Sequence, residues 1–348
     1  MGKKERIKFF DFARGIAIFF MILQHTVIVF DKSSGSDSGL GRTIILMGTA
    51  PAAPVFMFIM GVFFIHRHPN DMSFGIKRGL KLLLLGYVLN AVRFCLPAMT
   101  LDKFGLVLEG NTSPVTLFFI VDILQMAGLS LMIMAVARRF TQKTWIWISL
   151  PVVVSMVSPV LWGKLTEIPG TALLWGDQDA VFFPLFPWLI YPLVGMIYGR
   201  AYLMHPDRGI LMKKSFLSGL IMMLTGAIIW RFFPNEDYFV GNYARSGPAI
   251  HLIILGFVIT WMALCFWIVD RIPDNRIFRV LYFWSRNVIV VYFIQWLLIG
   301  WALFLFYKKT QTPEGALLLG FVFVLLTHLL TNAYLYLKRK LEFNRFIR

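Results

Sequence analysis

The chain is poor in charge, in cysteine and in polar linkers. Only 15% of its 348 residues are Asp, Glu, Lys or Arg, against about 25% in soluble domains. A polypeptide that is 58% hydrophobic cannot hide its apolar surface in a soluble core. This argues against a soluble enzyme and against a disordered chain. Two cysteines, Cys95 and Cys265, cannot form the disulfide framework of a secreted scaffold, and both are expected to be reduced and structural. No glycine-rich phosphate loop, zinc-type spacing or G-x-S-x-G turn occurs, so no metal is expected. The first apolar run carries Asp11 and Arg14 and is too long for a cleaved signal peptide. No low-complexity tract interrupts the chain, and residues 1–348 read as a single transmembrane domain.

Apolar runs dominate what is present, with a mean hydropathy of +0.71. A membrane span needs roughly 20 predominantly apolar residues. Ten segments qualify: 9–30, 43–65, 79–99, 115–137, 145–162, 181–203, 216–233, 248–269, 280–307 and 315–337. The expected fold is all-α, a polytopic integral membrane protein of about ten helices. Roughly two thirds of the 34 Lys and Arg fall in alternate connections. That bias places both termini in the cytoplasm. It also accounts for most of the net charge of +16 without nucleic acid.

Charged and polar side chains inside a bilayer are expensive and mark functional or wet positions. Here they form two layers. The cytoplasmic layer holds Asp11 and Arg14 on the first span and Arg286 and Asn287 on the ninth, with Lys77, Arg78 and Lys81 leading into the third. The opposite layer holds His25, Arg93 and Asp122, with His251 shallower and expected to be wet. Asn90, Gln295 and His328 lie nearer the middle. Arg14 and His25 are eleven residues apart, about three helical turns, so they share one stripe about 16 Å long. Such a stripe suits a long ligand with an anionic head and a reactive far end. Plainer readings stand beside this one. His25 can be a helix–helix hydrogen-bonding residue, and Asp11–Arg14 an interfacial ion pair. The lysines and arginines can be topology determinants alone. A transporter or flippase for an anionic or lipid-linked solute would use the same residue types, although no inverted repeat is evident.

The span-1 string FFDFARGIAIFFMILQH places Arg three residues after Asp11 and His fourteen after it. It resembles the first-helix signature of transmembrane acyltransferases, a superfamily that includes the acyltransferase-3 proteins. Further segments resemble the heparan-α-glucosaminide N-acetyltransferase-like branch. They are APVFMFIMGVFF, KRGLKLLLLG, DILQMAGLS, FFPLFPWLIYPLVGMIYGR and SRNVIVVYFIQW. Gln295 stands where the last of these motifs usually has His.

The resemblance implies acyl transfer from cytoplasmic acetyl-CoA (acyl-CoA) to a sugar or glycan hydroxyl or amine on the extracytoplasmic side. It makes His25 the catalytic base or nucleophile; depth in the bilayer alone suggests Asp122 to orient it and Arg93 or Asn90 to steady the oxyanion. Asp11, Arg14, Lys77, Arg78, Lys81, Arg286 and Asn287 would receive the CoA phosphates. The implied partners are the lipid bilayer, acyl-CoA and the glycan acceptor, with a homodimer as a further one and no nucleic acid. The implied location is a bacterial cytoplasmic membrane.

Overall fold

Apolar runs without a polar face become long helices, and breaks fall where proline or a capping side chain intervenes. In the computed structural model the described residues are 6–49, 51–67, 71–103, 113–165, 168, 170–176, 180–234, 237–302 and 309–346. In chain order the helices are α1 (Lys8–Phe30), α2 (Gly39–Thr49), α3 (Ala53–Arg67), α4 (Met72–Asn90), a π-turn (Ala91–Cys95), α5 (Leu96–Lys103), α6 (Pro114–Phe118), α7 (Ile123–Phe140) and α8 (Thr144–Leu161). They continue as α9 (Thr171–Trp175), α10 (Leu185–Trp188), α11 (Ile190–Met204), α12 (Arg208–Phe232), α13 (Pro248–Arg271), α14 (Arg276–Arg286), α15 (Val288–Ala302) and α16 (Pro313–Phe346). Among the described residues eight helices are long and apolar enough to cross a membrane, or nine if α14 and α15 count as one bent span.

Four of the ten expected spans are built differently from a straight helix. The 43–65 run stops at Thr49 and resumes at Ala53, because Pro51 and Pro54 cannot supply backbone donors. The 115–137 run breaks before Ile123. Val121 forms an isolated bridge with Val181 there, and Asp122 starts α7 afresh. The 181–203 run is helical continuously only from Ile190, behind the one-turn α10 with its Pro187. The 280–307 run bends by 89° between α14 and α15, and its stretch beyond Ala302 is described only from Lys309 onward. Glu167, Asp177, Asp179 and the Asn111–Thr112 pair lie outside the described residues.

The chain divides into two compact units. One comprises Met1–Ala52, Val92–Glu109 and Ile272–Arg348. In it α1 is the hub, packed against α2, α14, α15 and α16. The second comprises Ala53–Ala91 and Gly110–Arg271. Its packing is pairwise: α3 on α11, α4 on α7, and α12 on α13. The α3–α11 pair is glycine-mediated. A Cβ at Gly61 would collide with the carbonyl of Pro192, and one at Gly195 with the carbonyl of Phe58. Small residues let helix backbones approach this closely in lipid, where dispersion replaces the hydrophobic effect. Both glycines belong to the strings that carry the family resemblance. Cys95 and Cys265 are buried free thiols, as expected.

Candidate active site

The first unit places two polar clusters on α1. Asp11 sits in its first turn and is 2% exposed. Its carboxylate accepts from Arg6 Nε, from Arg14 Nη2 at 3.1 Å and from Ser285 Oγ at 2.6 Å. A carboxylate this buried is tolerable only when paired and hydrogen-bonded. Two guanidinium groups share one acid here, so the cluster stays net positive. Arg286 adds exposed charge nearby in sequence, at the end of α14, with its Nε donating to the Tyr282 carbonyl. The Asn287 amide donates to the Phe283 carbonyl at 2.9 Å, closing α14. Below this helix Lys8 donates to Asp274 at 2.7 Å. That hydrogen bond holds the exposed Asp274 carboxyl under the usual carboxylate range.

Eleven residues after Arg14, His25 is half-buried against α15. Its Nδ1 lies 3.1 Å from the Gln295 side-chain amide. Its ring packs on Trp296, with centroids 4.4 Å apart and planes at 33°. Arg93 shares that indole. Its guanidinium carbon is 4.4 Å from the Trp296 centroid and 4.3 Å from that of Phe94. Arg93 is 1% exposed, and cation–π contacts of this kind strengthen when desolvated. The π-turn is what aims it, because one extra residue per turn rotates a side chain out of helical register. The turn fits because α15 offers Gly300, where a Cβ would strike the Arg93 carbonyl. Trp301 Nε1 adds a hydrogen bond to the Val92 carbonyl at 3.2 Å.

The remaining candidates lie in the second unit. Lys77, Arg78 and Lys81 are exposed on α4; Arg78 lies over the Phe74 ring at 5.9 Å. Asp122 is 6% exposed and is the N-cap of α7. Its side chain accepts from Ile123 N at 2.7 Å, while Gln125 Oε1 accepts from Asp122 N at 3.3 Å. This is a capping box, D-x-x-Q, and the pattern is readable in DILQ. Asn90 donates to the Phe118 and Ile120 carbonyls at 2.9 and 2.7 Å, so it ties down the chain that leads into this cap. His251 corrects its sequence reading. It is 1% exposed rather than wet, and its Nδ1 lies 2.7 Å from Ser155 Oγ. In the first unit, His328 receives Trp284 Nε1 at 3.1 Å and serves packing.

The structure thus brings together Asp11 with Arg14, and His25 with Arg93. Sequence reasoning missed Arg6 and Ser285 as partners of Asp11, and Gln295 and Trp296 as partners of His25. Ser285 and Gln295 both lie in the string SRNVIVVYFIQW, and the departure from the usual His at 295 was the available signal. Among the described residues no group of three His, Cys, Asp or Glu is placed to hold a metal ion.

A family model described as heparan-alpha-glucosaminide N-acetyltransferase, catalytic, matches residues 6–230. No curated protein matches the chain. The matched stretch contains Asp11, Arg14, His25, Arg93 and Asp122, and spans about two thirds of the sequence. This chain therefore belongs to the heparan-α-glucosaminide N-acetyltransferase catalytic family of membrane acetyltransferases.

Proposed function

We propose that the protein transfers an acetyl group from cytoplasmic acetyl-CoA to a sugar hydroxyl or amine on the extracytoplasmic side, with both termini cytoplasmic. The observation that carries this is the single stripe of α1. It joins a guanidinium-rich cluster at Arg14 to an imidazole about 16 Å further along, and that imidazole is backed by an amide and a desolvated cation. CoA is anionic at its phosphates and reactive at its distant sulfur. Arg14, held in place by Asp11, would take the phosphates together with Arg286 and Asn287. Guanidinium groups suit this because their planar donors match phosphate oxygens. Lys77, Arg78 and Lys81 are proposed for the same anionic head on the chemistry of their charge.

The thioester then meets His25. In this reading His25 Nε2 removes the proton of the acceptor hydroxyl or amine as the acceptor attacks the acetyl carbonyl. The carbon–sulfur bond breaks, and the protonated imidazole returns its proton to the CoA thiolate. Arg93 supplies positive potential for the oxyanion. Asp122 is proposed for the same reaction on the chemistry of its carboxylate. Asp122→Asn tests it cleanly, because asparagine also caps a helix: the expected result is a lower kcat with unfolding unchanged.

The principal test is His25→Ala in purified protein, assayed with acetyl-CoA and an amino-sugar acceptor. Turnover is expected to fall by about 10²–10⁴-fold, while acetyl-CoA still raises the melting temperature. Undiminished turnover removes His25 from the mechanism. Solute uptake without CoA, in a protein that acetyl-CoA does not stabilise, would favour the transporter reading.

A further inference from the structure

We infer that Gln295 is a positioning residue that sets the tautomer of His25. Its amide oxygen takes the Nδ1 proton, so that Nε2 holds the lone pair used in the reaction. The inference rests on His25 being the reactive imidazole.

Gln295 is fully buried on α15. One end of its amide is 3.1 Å from His25 Nδ1. The other end, Oε1 as placed, is buried without a hydrogen-bond partner among the described residues. The oxygen and nitrogen of an amide exchange places by a half-turn, and heavy-atom positions do not distinguish the two orientations. The orientations differ in chemistry. With the NH2 group toward Nδ1, the ring must carry its proton on Nε2, and an Nε2–H cannot accept a proton. Oε1 is then left buried and unsatisfied, which is costly. With the oxygen toward Nδ1, the ring donates Nδ1–H to Oε1 over the same separation and Nε2 is basic. The NH2 group then occupies the place where Oε1 stood.

The proton balance closes on this tautomer. The acceptor's proton moves to Nε2 as the new bond to the acetyl carbon forms. Nδ1–H stays on the ring and donates more strongly to Oε1 while the ring is positive. The Nε2 proton then leaves with the CoA sulfur, and the starting tautomer returns. Trp296, on which the ring packs, is not ionisable, so it orients the plane without competing for a proton.

Among the described residues, the helices packed near this histidine carry these charged and titratable groups. Arg93 faces the same indole. On α15 the only ionisable residue is Tyr292, whose ring is 6.5 Å from that of Trp296. From α2 comes Arg42, which is exposed. From α16 come Glu314, exposed in its first turn, and His328, bonded to Trp284. On α14 the charges are Arg276, Arg279 and Arg286, all exposed, with Tyr282. A carboxylate at position 295, directly on Nδ1, would add a negative charge beside the ring.

The test is nitrogen-15 NMR of histidine-labelled protein in detergent, with the His25 signals identified by their loss in His25→Ala. The wild type is expected to show the Nδ1–H tautomer above its titration midpoint. Gln295→Met should convert it to Nε2–H. It should also lower kcat about 10–100-fold, with the KM for acetyl-CoA changed less than about threefold. Gln295→Glu keeps an acceptor, retains Nδ1–H, and should move the acid limb of kcat/KM up by about one pH unit or more. A wild-type Nε2–H signal, or the same tautomer in Gln295→Met, overturns the inference. If Gln295→Met does not fold, an acid limb unmoved in Gln295→Glu overturns it equally. Activity surviving in His25→Ala instead overturns the catalytic reading, and the NMR result still reports on the tautomer.

Discussion

The two ends of α1 handle positive charge in opposite ways. At Asp11, two guanidinium groups share one buried carboxylate, which also accepts a hydrogen bond from the Ser285 hydroxyl. At His25 the neighbours include an indole and an amide, and the nearby cation lies over aromatic faces. Formal pairing satisfies charge and fixes geometry, whereas a π face attracts a cation through its quadrupole. In the proposed function, the contrast would separate an anchoring end from a reacting end on one helix.

Three changes probe that contrast, from the largest effect on stability to the smallest. Asp11→Ala should destabilise by about 2–4 kcal/mol, because it strands Arg14 and Ser285. The figure sits toward the lower side because the Arg6 side chain is 42% exposed and rehydrates. Thermal unfolding in detergent measures it; a loss under about 0.5 kcal/mol, the range of a surface substitution, would erase the distinction between the two ends. Trp296→Ala should cost about 2–3 kcal/mol, the low side of deleting an aromatic ring, since the indole is half-buried. Its larger effect should be on kcat, because His25 and Arg93 lose their common surface, and Trp296→Phe should restore much of both. Asp274→Asn removes the partner of Lys8 and should lower the neutral-pH melting temperature only slightly, as exposed pairs contribute little. The Asp274 carboxyl is held below its ordinary range in the folded protein. Its contribution is therefore present above the unfolded value of about 4 and is lost as pH falls through the folded one. Wild type and variant should converge in acid, and divergence there would contradict the assignment.

The sequence carries the helical spans well because bilayer-length apolar runs are a strong signal. It carries the interruptions only where a local rule writes them. Pro51 and the D-x-x-Q at Asp122 are legible in this sense, and both mark real breaks. The bend between α14 and α15 is not, since Asn287 lies in a run whose hydropathy suits a straight helix. The shared face of Arg14 and His25 follows from helical periodicity alone. Their partners do not, because Ser285 is 274 positions from Asp11 and Gln295 is 270 from His25. No local pattern encodes a contact over that separation. His251 misled for a related reason: depth along a helix says nothing about which face is packed.

The 89° bend gives one continuous piece of chain two points of purchase on α1. Ser285 grips it at Asp11 and Gln295 at His25. Those jaws make a caliper whose opening is set by helical rise. If the proposed function holds, a donor would be measured before it is used, and a thioester on a truncated carrier would grip at one jaw and fall short of the other.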